Sequence, residues 1–143
     1  MTTHEELLAR EDESWSELVD AFDSISEDAR DVEGVVPGWS TKDLVWHCGY
    51  WAGFVADVLD KIGRGEPTDD DQDWDAFNAI VIQEGRAMHW DEIIVRSEQN
   101  RIRAREALQK LTSLTDEAVS EFTGETFGHY DEHAAEIRAF TGA

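Results

Sequence analysis

Apolar side chains recur at intervals of three and four residues along most of the chain, the spacing typical of amphipathic α-helices. The first such segment extends from about residue 3 to residue 32 and includes Leu7, Leu8, Trp15, Leu18, Val19, Phe22, Ile25 and Ala29. Thr3 and Glu6 have the spacing of a capping box at its start. The glycines and proline of "VEGVVPGWS" are turn formers, so this segment is predicted to end the first helix.

The same period predicts the rest of the chain to be helical. A second helix begins at Ser40 or Thr41 and ends near Ile62, and a short third helix covers Trp74 to Arg86. A longer helix follows within residues 87–114, with Ile93, Ile94, Ile102, Ala104, Leu108 and Leu111 as its buried side. One or two turns then lead to a last helix from Thr126 to Phe140. The alternation of period two that is typical of strands is absent. We therefore predict an all-α fold, a four-helix bundle with a short extra helix before helix three, forming a single domain over residues 1–143.

Charge and composition narrow the classes of partner. The chain has 33 acidic against 12 basic residues, a net charge of −21, which repels phosphate backbones and anionic lipids. We therefore expect neither a nucleic acid nor a membrane as partner. A single cysteine, Cys48, excludes an intrachain disulfide, and the polar N-terminus has no signal peptide, so a cytoplasmic protein is expected. The acidic loop "EPTDDDQD" is not an EF-hand, because Trp74 stands at the glycine position and Ile80 at the glutamate position.

Three histidines lie on the predicted inward faces of two helices. His47 follows Leu44 by three residues and precedes Trp51 by four, and His129 and His133 share the face of Ile137. Taken singly, an inward histidine is usually a hydrogen-bonded core residue, and an HxxxH pair often arises by chance. Together they can supply three ligands to one divalent ion and leave coordination positions open for water or substrate. The core of a helix bundle is also the place where such folds build metal sites.

Two segments resemble the DinB-like superfamily, which includes the N-terminal domain of mycothiol-dependent maleylpyruvate isomerase. "PGWSTKDLVWHCGYW" resembles its signature W-[ST]-x-K-[DE]-L-x-x-H-x-x-x-W, and "GHYDEHAAEIRAF" resembles its terminal helix. "DAFNAIVIQEGRAMHWDEI" is similar to its third-helix region, so the resemblance covers about residues 35–140.

The resemblance implies a four-helix bundle with a divalent metal held by His47, His129 and His133. Zinc is favoured, with nickel, iron and manganese as alternatives. The isomerase branch typically has a glutamate where this chain has His129, so the chain looks more like the DinB and thiol-transferase branch. "TFGHYDEH" is also similar to the colibactin self-protection relatives, which leaves the branch open.

Further residues are candidates for a substrate site beside the histidines. Tyr130 is a candidate hydrogen-bond donor to substrate, and the candidate pocket residues are Trp46, Tyr50, Trp51, Asn78 and Glu84, although aromatic residues at helical spacing are more often plain core. Asn78 and Glu84 are candidates for orienting a ligand or an imidazole. Arg86 or Arg138 would neutralise an anionic substrate. We expect Cys48 to be a small buried residue, His89 to start a helix and His4 to lie in a frayed terminus.

Three functions remain open on the sequence. The resemblance favours a metal-dependent transferase or isomerase in which a low-molecular-weight thiol such as mycothiol or bacillithiol attacks a small electrophile, because a bound ion lowers the pKa of a thiol. A metal-dependent hydrolase of the same fold is the enzymatic alternative. The second function is a resistance protein of the same fold that sequesters a small molecule without turnover. The third is a structural bundle with vestigial histidines. A homodimer is compatible with each of them.

Overall fold

The computed structural model describes residues 2–68 and 72–141, and these ranges contain α-helices and no β-strand. The α-helices are α1 (His4–Asp23), α2 (Thr41–Gly63), α3 (Trp74–Arg86), α4 (Trp90–Lys110), α5 (Asp116–Glu125) and α6 (Phe127–Thr141), with a 3-10 turn at Glu27–Ala29. The prediction of an all-α bundle with a short helix before the third main helix is therefore confirmed. None of the described helices is both long enough and apolar enough to cross a membrane.

Local side-chain caps explain where several helices begin. Ser40 Oγ accepts a hydrogen bond from the backbone N–H of Asp43 at 3.1 Å, and the Asp43 carboxylate accepts one from the Ser40 N–H at 3.0 Å. This reciprocal pair satisfies two backbone donors that a helix start leaves free. Asp73 caps α3 and Thr115 caps α5 in the simpler one-way form. Residues 69–71, the other aspartates of the acidic loop, lie outside the described residues.

Two helix lengths differ from the prediction. The first helix ends at Asp23 rather than near residue 32. At this end Ser24 Oγ donates a hydrogen bond to the Ala21 carbonyl at 2.7 Å. Ile25 lies beyond the end of the helix but is still buried in the core. Its apolar side chain therefore fits the helical spacing although the residue is not helical. The one or two turns expected after Leu114 form the ten-residue α5, which contributes the buried Phe122 to the core.

Helix α2 lies at the centre of the bundle. It packs along α4 on one side and contacts α3, α5 and α6 on others, while α1 packs mainly on α6. Gly49 brings α2 close to α4, because a Cβ at this position would lie 2.0 Å from Ser97 Oγ. Because α2 is central, its inward side chains can contact residues of α3, α5 and α6.

Some predicted positions on faces and ends were wrong. Ile102 was expected on the buried side of α4 but is 46 % exposed, because Ala104 and Leu108 make the contacts with the core. His4 is not frayed: it is the first residue of α1, and its Nε2 lies 2.8 Å from the Leu111 carbonyl oxygen. His89 does stand at a helix start, as the N-cap of α4.

Candidate metal centre and cavity

The three inward histidines converge between α2 and α6. One nitrogen from each of His47, His129 and His133 lies within 4.8 Å of the others. The ring centroid of His47 is 4.6 Å from that of His129 and 5.3 Å from that of His133. Trp39 packs against the His47 ring at 4.9 Å and fixes its position from the turn before α2. The two helices therefore bring together three nitrogen donors that the sequence separates.

Burial keeps two of these imidazoles neutral. Together with the neighbouring His129 and His133, it lowers the pKa of His47 from 6.5 to about 3. Burial likewise lowers the pKa of His129 to about 3, with His133 as the second cause. The Nδ1 atoms of both residues are buried with no hydrogen-bond partner in the described part of the chain. Buried polar atoms are rarely left unpaired in native proteins, so these nitrogens indicate a missing partner.

Glu136 orients the third imidazole. Its carboxylate forms a short hydrogen bond with Nδ1 of His133, three residues earlier on α6. Carboxylates commonly fix the tautomer of metal-binding histidines in this way. The contact leaves Nε2 of His133 free to bind an ion through its lone pair. Glu136 was missed in the sequence, which pointed to Asn78 and Glu84 for this role. Its position three residues after His133 was the available signal.

These donors suit a divalent transition metal. Three imidazoles on one side of an ion leave coordination positions open, and zinc, nickel and iron all accept such a set. Cys48 is not part of the group: it is fully buried, and burial raises the pKa of its thiol, so the sulfur stays protonated. Its expected role as a small buried residue agrees with this position.

A cavity of about 380 Å³ opens beside the histidines. Its volume falls in the range of small-molecule sites, roughly 300–1,000 Å³. It is lined by His47, Trp51, Phe54, Val58, Thr68, Trp74, Asn78, Glu121, Glu125 and His129. Trp51 donates its indole N–H to the Asn78 side-chain oxygen at 3.1 Å, which ties the α2 wall to α3. A molecule in this cavity would lie against two of the three imidazoles.

Two carboxylates of α5 line the cavity and were missed in the sequence. Burial, together with the nearby Glu121, raises the pKa of Glu125 to about 7. The pKa of Glu121 is also raised, by burial and by Glu117. Glu121, Glu125 and His129 follow one another at intervals of four residues, a spacing that would have indicated a shared face if α5 and α6 had been recognised as nearly continuous.

Comparison with protein families decides the assignment. Residues 11–140 match the DinB superfamily. The chain belongs to the DinB superfamily. No curated protein matches the sequence significantly. Two solved structures share the DinB fold with it at 14 % identity, an uncharacterised protein from Escherichia coli UTI89 and the colibactin self-resistance protein ClbS in complex with double-stranded DNA. The first has a TM-score of 0.79 and covers 99 % of this chain and 94 % of its own. For ClbS the TM-score is 0.75, with coverage of 100 % and 98 %.

The DNA complex of ClbS overturns one expectation. We excluded nucleic acid as a partner because the net charge of −21 repels phosphates. A protein of the same DinB fold nevertheless forms a complex with double-stranded DNA, so the exclusion is wrong. Net charge reports the average field around a protein, whereas binding depends on the charges at the contact surface.

The candidate substrate residues divide into two groups in this DinB chain. Trp51 and Asn78 line the cavity. Trp46 is buried against Gly85 of α3, and Tyr50 packs between the rings of Trp46 and Phe77. These contacts hold α3 against α2 and leave neither ring in the cavity wall.

Tyr130 and Glu84 also lie away from the cavity wall. Tyr130 is fully buried and packs edge-on against Trp15 of α1, with ring centroids 5.2 Å apart. Burial and the nearby Glu11 raise the pKa of its hydroxyl well above the ordinary value. On α6 this side chain therefore faces α1, and His129 beside it in sequence faces α2. Glu84 is exposed on α3.

The two arginines expected at the mouth have other partners. Arg86 forms an ion pair with the buried Asp43 at 3.0 Å and a second with Glu33 at 3.2 Å. Arg138 donates a hydrogen bond to the Glu17 carbonyl at 3.1 Å. Arg86 therefore stabilises the start of α2, and Arg138 links α6 to α1. The idea that they neutralise an anionic substrate does not agree with these positions.

Proposed function

We propose that this DinB protein binds one divalent metal ion at His47, His129 and His133 and catalyses attack of a small thiol on an electrophile held in the adjoining cavity. One observation carries the proposal: three imidazole donors within 4.8 Å of one another border a cavity large enough for a small molecule. When bound, the ion would supply a Lewis acid that lowers the pKa of a thiol or of water.

The protein's own residues would hold and orient the reactants. Burial keeps His47 and His129 unprotonated at neutral pH, so protons do not compete for their nitrogens. Glu136 holds His133 in one tautomer. Trp51 and its partner Asn78 give the opposite wall a fixed shape against which an electrophile can be positioned.

Metal analysis and a thiol-transfer assay test the proposal. The full chain is loaded in turn with zinc, nickel, iron and manganese and supplied with mycothiol and 1-chloro-2,4-dinitrobenzene. Transfer forms a carbon–sulfur bond and breaks the carbon–chlorine bond, releasing chloride to solution and the thiol proton to solvent. We expect one ion per chain and turnover that is lost when a chelator removes the ion.

Matched histidine variants separate the site from general effects. His129→Ala should lose both the ion and turnover, whereas His89→Ala, at the exposed N-cap of α4, should keep both. A protein that takes up no ion under any loading condition would contradict the metal site. An ion-loaded protein no faster than the uncatalysed reaction with each thiol tested would contradict the transferase activity.

Sequestration without turnover is the second candidate. ClbS, which shares the fold, is described as a self-resistance protein, and the cavity here can hold a small molecule without reaction. This candidate predicts stoichiometric binding of the electrophile with no release of product. The same assay distinguishes the two, because turnover exceeds one product per chain only for an enzyme. Titration with a labelled DNA duplex measures whether the partner of ClbS is shared.

A further inference from the structure

The cavity has an apolar wall made of aromatic rings. Trp51 lies with its ring centroid 4.9 Å from that of Phe54 and 5.5 Å from that of Trp74, and Phe54 and Trp74 are 5.8 Å apart. Trp74 remains 38 % exposed, so the core does not cover its ring. An exposed aromatic surface inside a cavity offers contact area to a planar or cationic ligand.

The opposite side of the cavity is acidic. Glu121 and Glu125 lie one turn apart on α5, and neither has a hydrogen-bond or ion-pair partner in the described ranges. Three effects disfavour their negative charges: burial, repulsion from the glutamate one turn earlier on α5, and their place in the last turns of a helix, whose carboxyl end is itself negative. A cation between them would relieve all three.

No positive side chain balances these carboxylates within the cavity. Among the described residues that line it there is no lysine or arginine. Lys61 and Arg64 border a separate groove beyond Phe54, where Arg64 is paired with Glu66. The cavity also contains His47, which is 8 % exposed and has an unpaired Nδ1. That buried nitrogen belongs to the proposed ion, so the sign of an organic cation is the pairing of uncompensated carboxylates with the exposed ring of Trp74 in one cavity.

We propose that the cavity is specific for an organic cation, an amine whose ammonium group lies between Glu121 and Glu125 and whose apolar or aromatic part packs on Trp51, Phe54 and Trp74. This inference rests on the proposed function in one respect, because both use the same cavity. It adds the chemical class of the substrate. The electrophile that reaches the histidines carries a basic nitrogen, and anionic molecules are rejected.

Three phenethyl probes that differ in their terminal group test the charge preference: the isosteric pair phenethylamine and 2-phenylethanol, and 3-phenylpropionate, which carries a carboxylate. Each is titrated calorimetrically into the full chain after chelator treatment, so that no ion can bind the carboxylate probe. The titrations are run at pH 8, where a primary amine is a cation and a carboxyl of pKa about 7 is mostly ionised. We expect phenethylamine to bind about tenfold more tightly than 2-phenylethanol, and 3-phenylpropionate to bind more weakly than either.

Isosteric variants locate the preference. Glu125→Gln and Glu121→Gln should each reduce the preference for phenethylamine over 2-phenylethanol by about threefold. Glu13→Gln, on the exposed face of α1, makes the same change in net charge and should leave the preference unaltered. Trp74→Ala should weaken both probes together, because it removes the shared ring contact.

The comparison of probes on the unaltered protein keeps the test decisive even if a variant fails to fold. Equal binding of all three probes, or tighter binding of 3-phenylpropionate, would overturn the proposal. A preference that Glu13→Gln reduces as much as Glu125→Gln would also overturn it, since it would then reflect net charge alone. Because the ion is absent throughout, these outcomes are independent of metal binding and of thiol transfer.

Discussion

The Nδ1 atom of His133 is hydrogen-bonded to the carboxylate of Glu136, three residues further along α6, while the His133 ring lies 5.3 Å from the ring of His47 on α2. The His133 imidazole therefore has the Glu136 carboxylate at Nδ1, while its ring lies beside the other two histidines. This arrangement gives Glu136 influence over the proposed ion without direct contact, and it leads to the first prediction.

Glu136→Gln should lower the affinity for zinc by about tenfold to a hundredfold while the helical content stays unchanged, because His133 loses the anion that fixes its tautomer. Competition with a coloured chelator measures the affinity. Glu132→Gln is the matched control, since Glu132 is exposed on the same helix. Equal affinities for the two variants would show that the contact with Glu136 does not position a metal ligand.

His133→Ala should abolish metal binding and leave the bundle folded, whereas Trp51→Ala should damage the fold itself. Trp51 is 7 % exposed and contacts the rings of His47, Tyr50, Phe54, Trp74 and Phe77. Truncating such a residue costs about 3–5 kcal/mol. Denaturant unfolding of the two metal-free variants measures the difference. If His133→Ala loses as much stability as Trp51→Ala, the histidine is part of the scaffold.

The stability of the metal-free protein should fall as the pH is lowered from about 6.5 towards 3. His47 and His129 have folded pKa values of about 3 against 6.5 when unfolded, so the unfolded chain binds more protons in this window and acid favours unfolding. Glu125 has the opposite effect. Its folded pKa of about 7 lies above 4.5, so its contribution is present below 4.5 and is lost as the pH rises through 7.

Glu121, whose folded pKa is also raised, acts in the same direction as Glu125. The pKa shifts of the two histidines are larger, so a net loss of stability on acidification is expected, with greatest stability near neutrality. Melting temperatures at successive pH values measure it, with chelator present throughout. The double variant His47→Ala/His129→Ala should flatten the profile, and His89→Ala should not. A melting temperature that rises as the pH falls from 6.5 to 4.5 would contradict the neutral, buried state of the two imidazoles.

Gly49→Ala should destabilise the protein by about 1–3 kcal/mol, because the added methyl group would lie 2.0 Å from Ser97 Oγ and force α2 and α4 apart. Gly124→Ala on α5 is the control: nothing lies within 4 Å of its added Cβ, and alanine favours a helix by about 0.5–1 kcal/mol over glycine. Urea unfolding measures both. The double variant Gly49→Ala/Ser97→Gly should recover part of the loss, and its failure to do so would place the strain elsewhere.

Much of the fold follows from local features of the sequence. The reciprocal cap of Ser40 and Asp43 depends on residues three apart, and the shared face of His129 and His133 depends only on the pitch of a helix. Backbone hydrogen bonding fixes both without reference to the rest of the chain. For this reason the main helices and the three candidate ligands could be predicted.

The exceptions came from contacts between distant segments. The helical period continues through Ile25, but the helix ends at Asp23 and Ile25 packs in the core from outside it. Arg86 carries the charge expected of a substrate-binding residue, yet Asp43 on another helix engages it. Neither partner can be identified from spacing along the chain.

The tertiary structure alone decided the chemistry of the site. Tyr130 follows the candidate ligand His129 in sequence, but its side chain packs towards α1, and Glu125 of α5 lines the cavity instead. Burial likewise moves the pKa of His47 and His129 from 6.5 to about 3, a change that no sequence pattern records. Side-chain direction follows from the pitch of one helix, whereas cavity shape and dielectric environment depend on how several helices exclude water together.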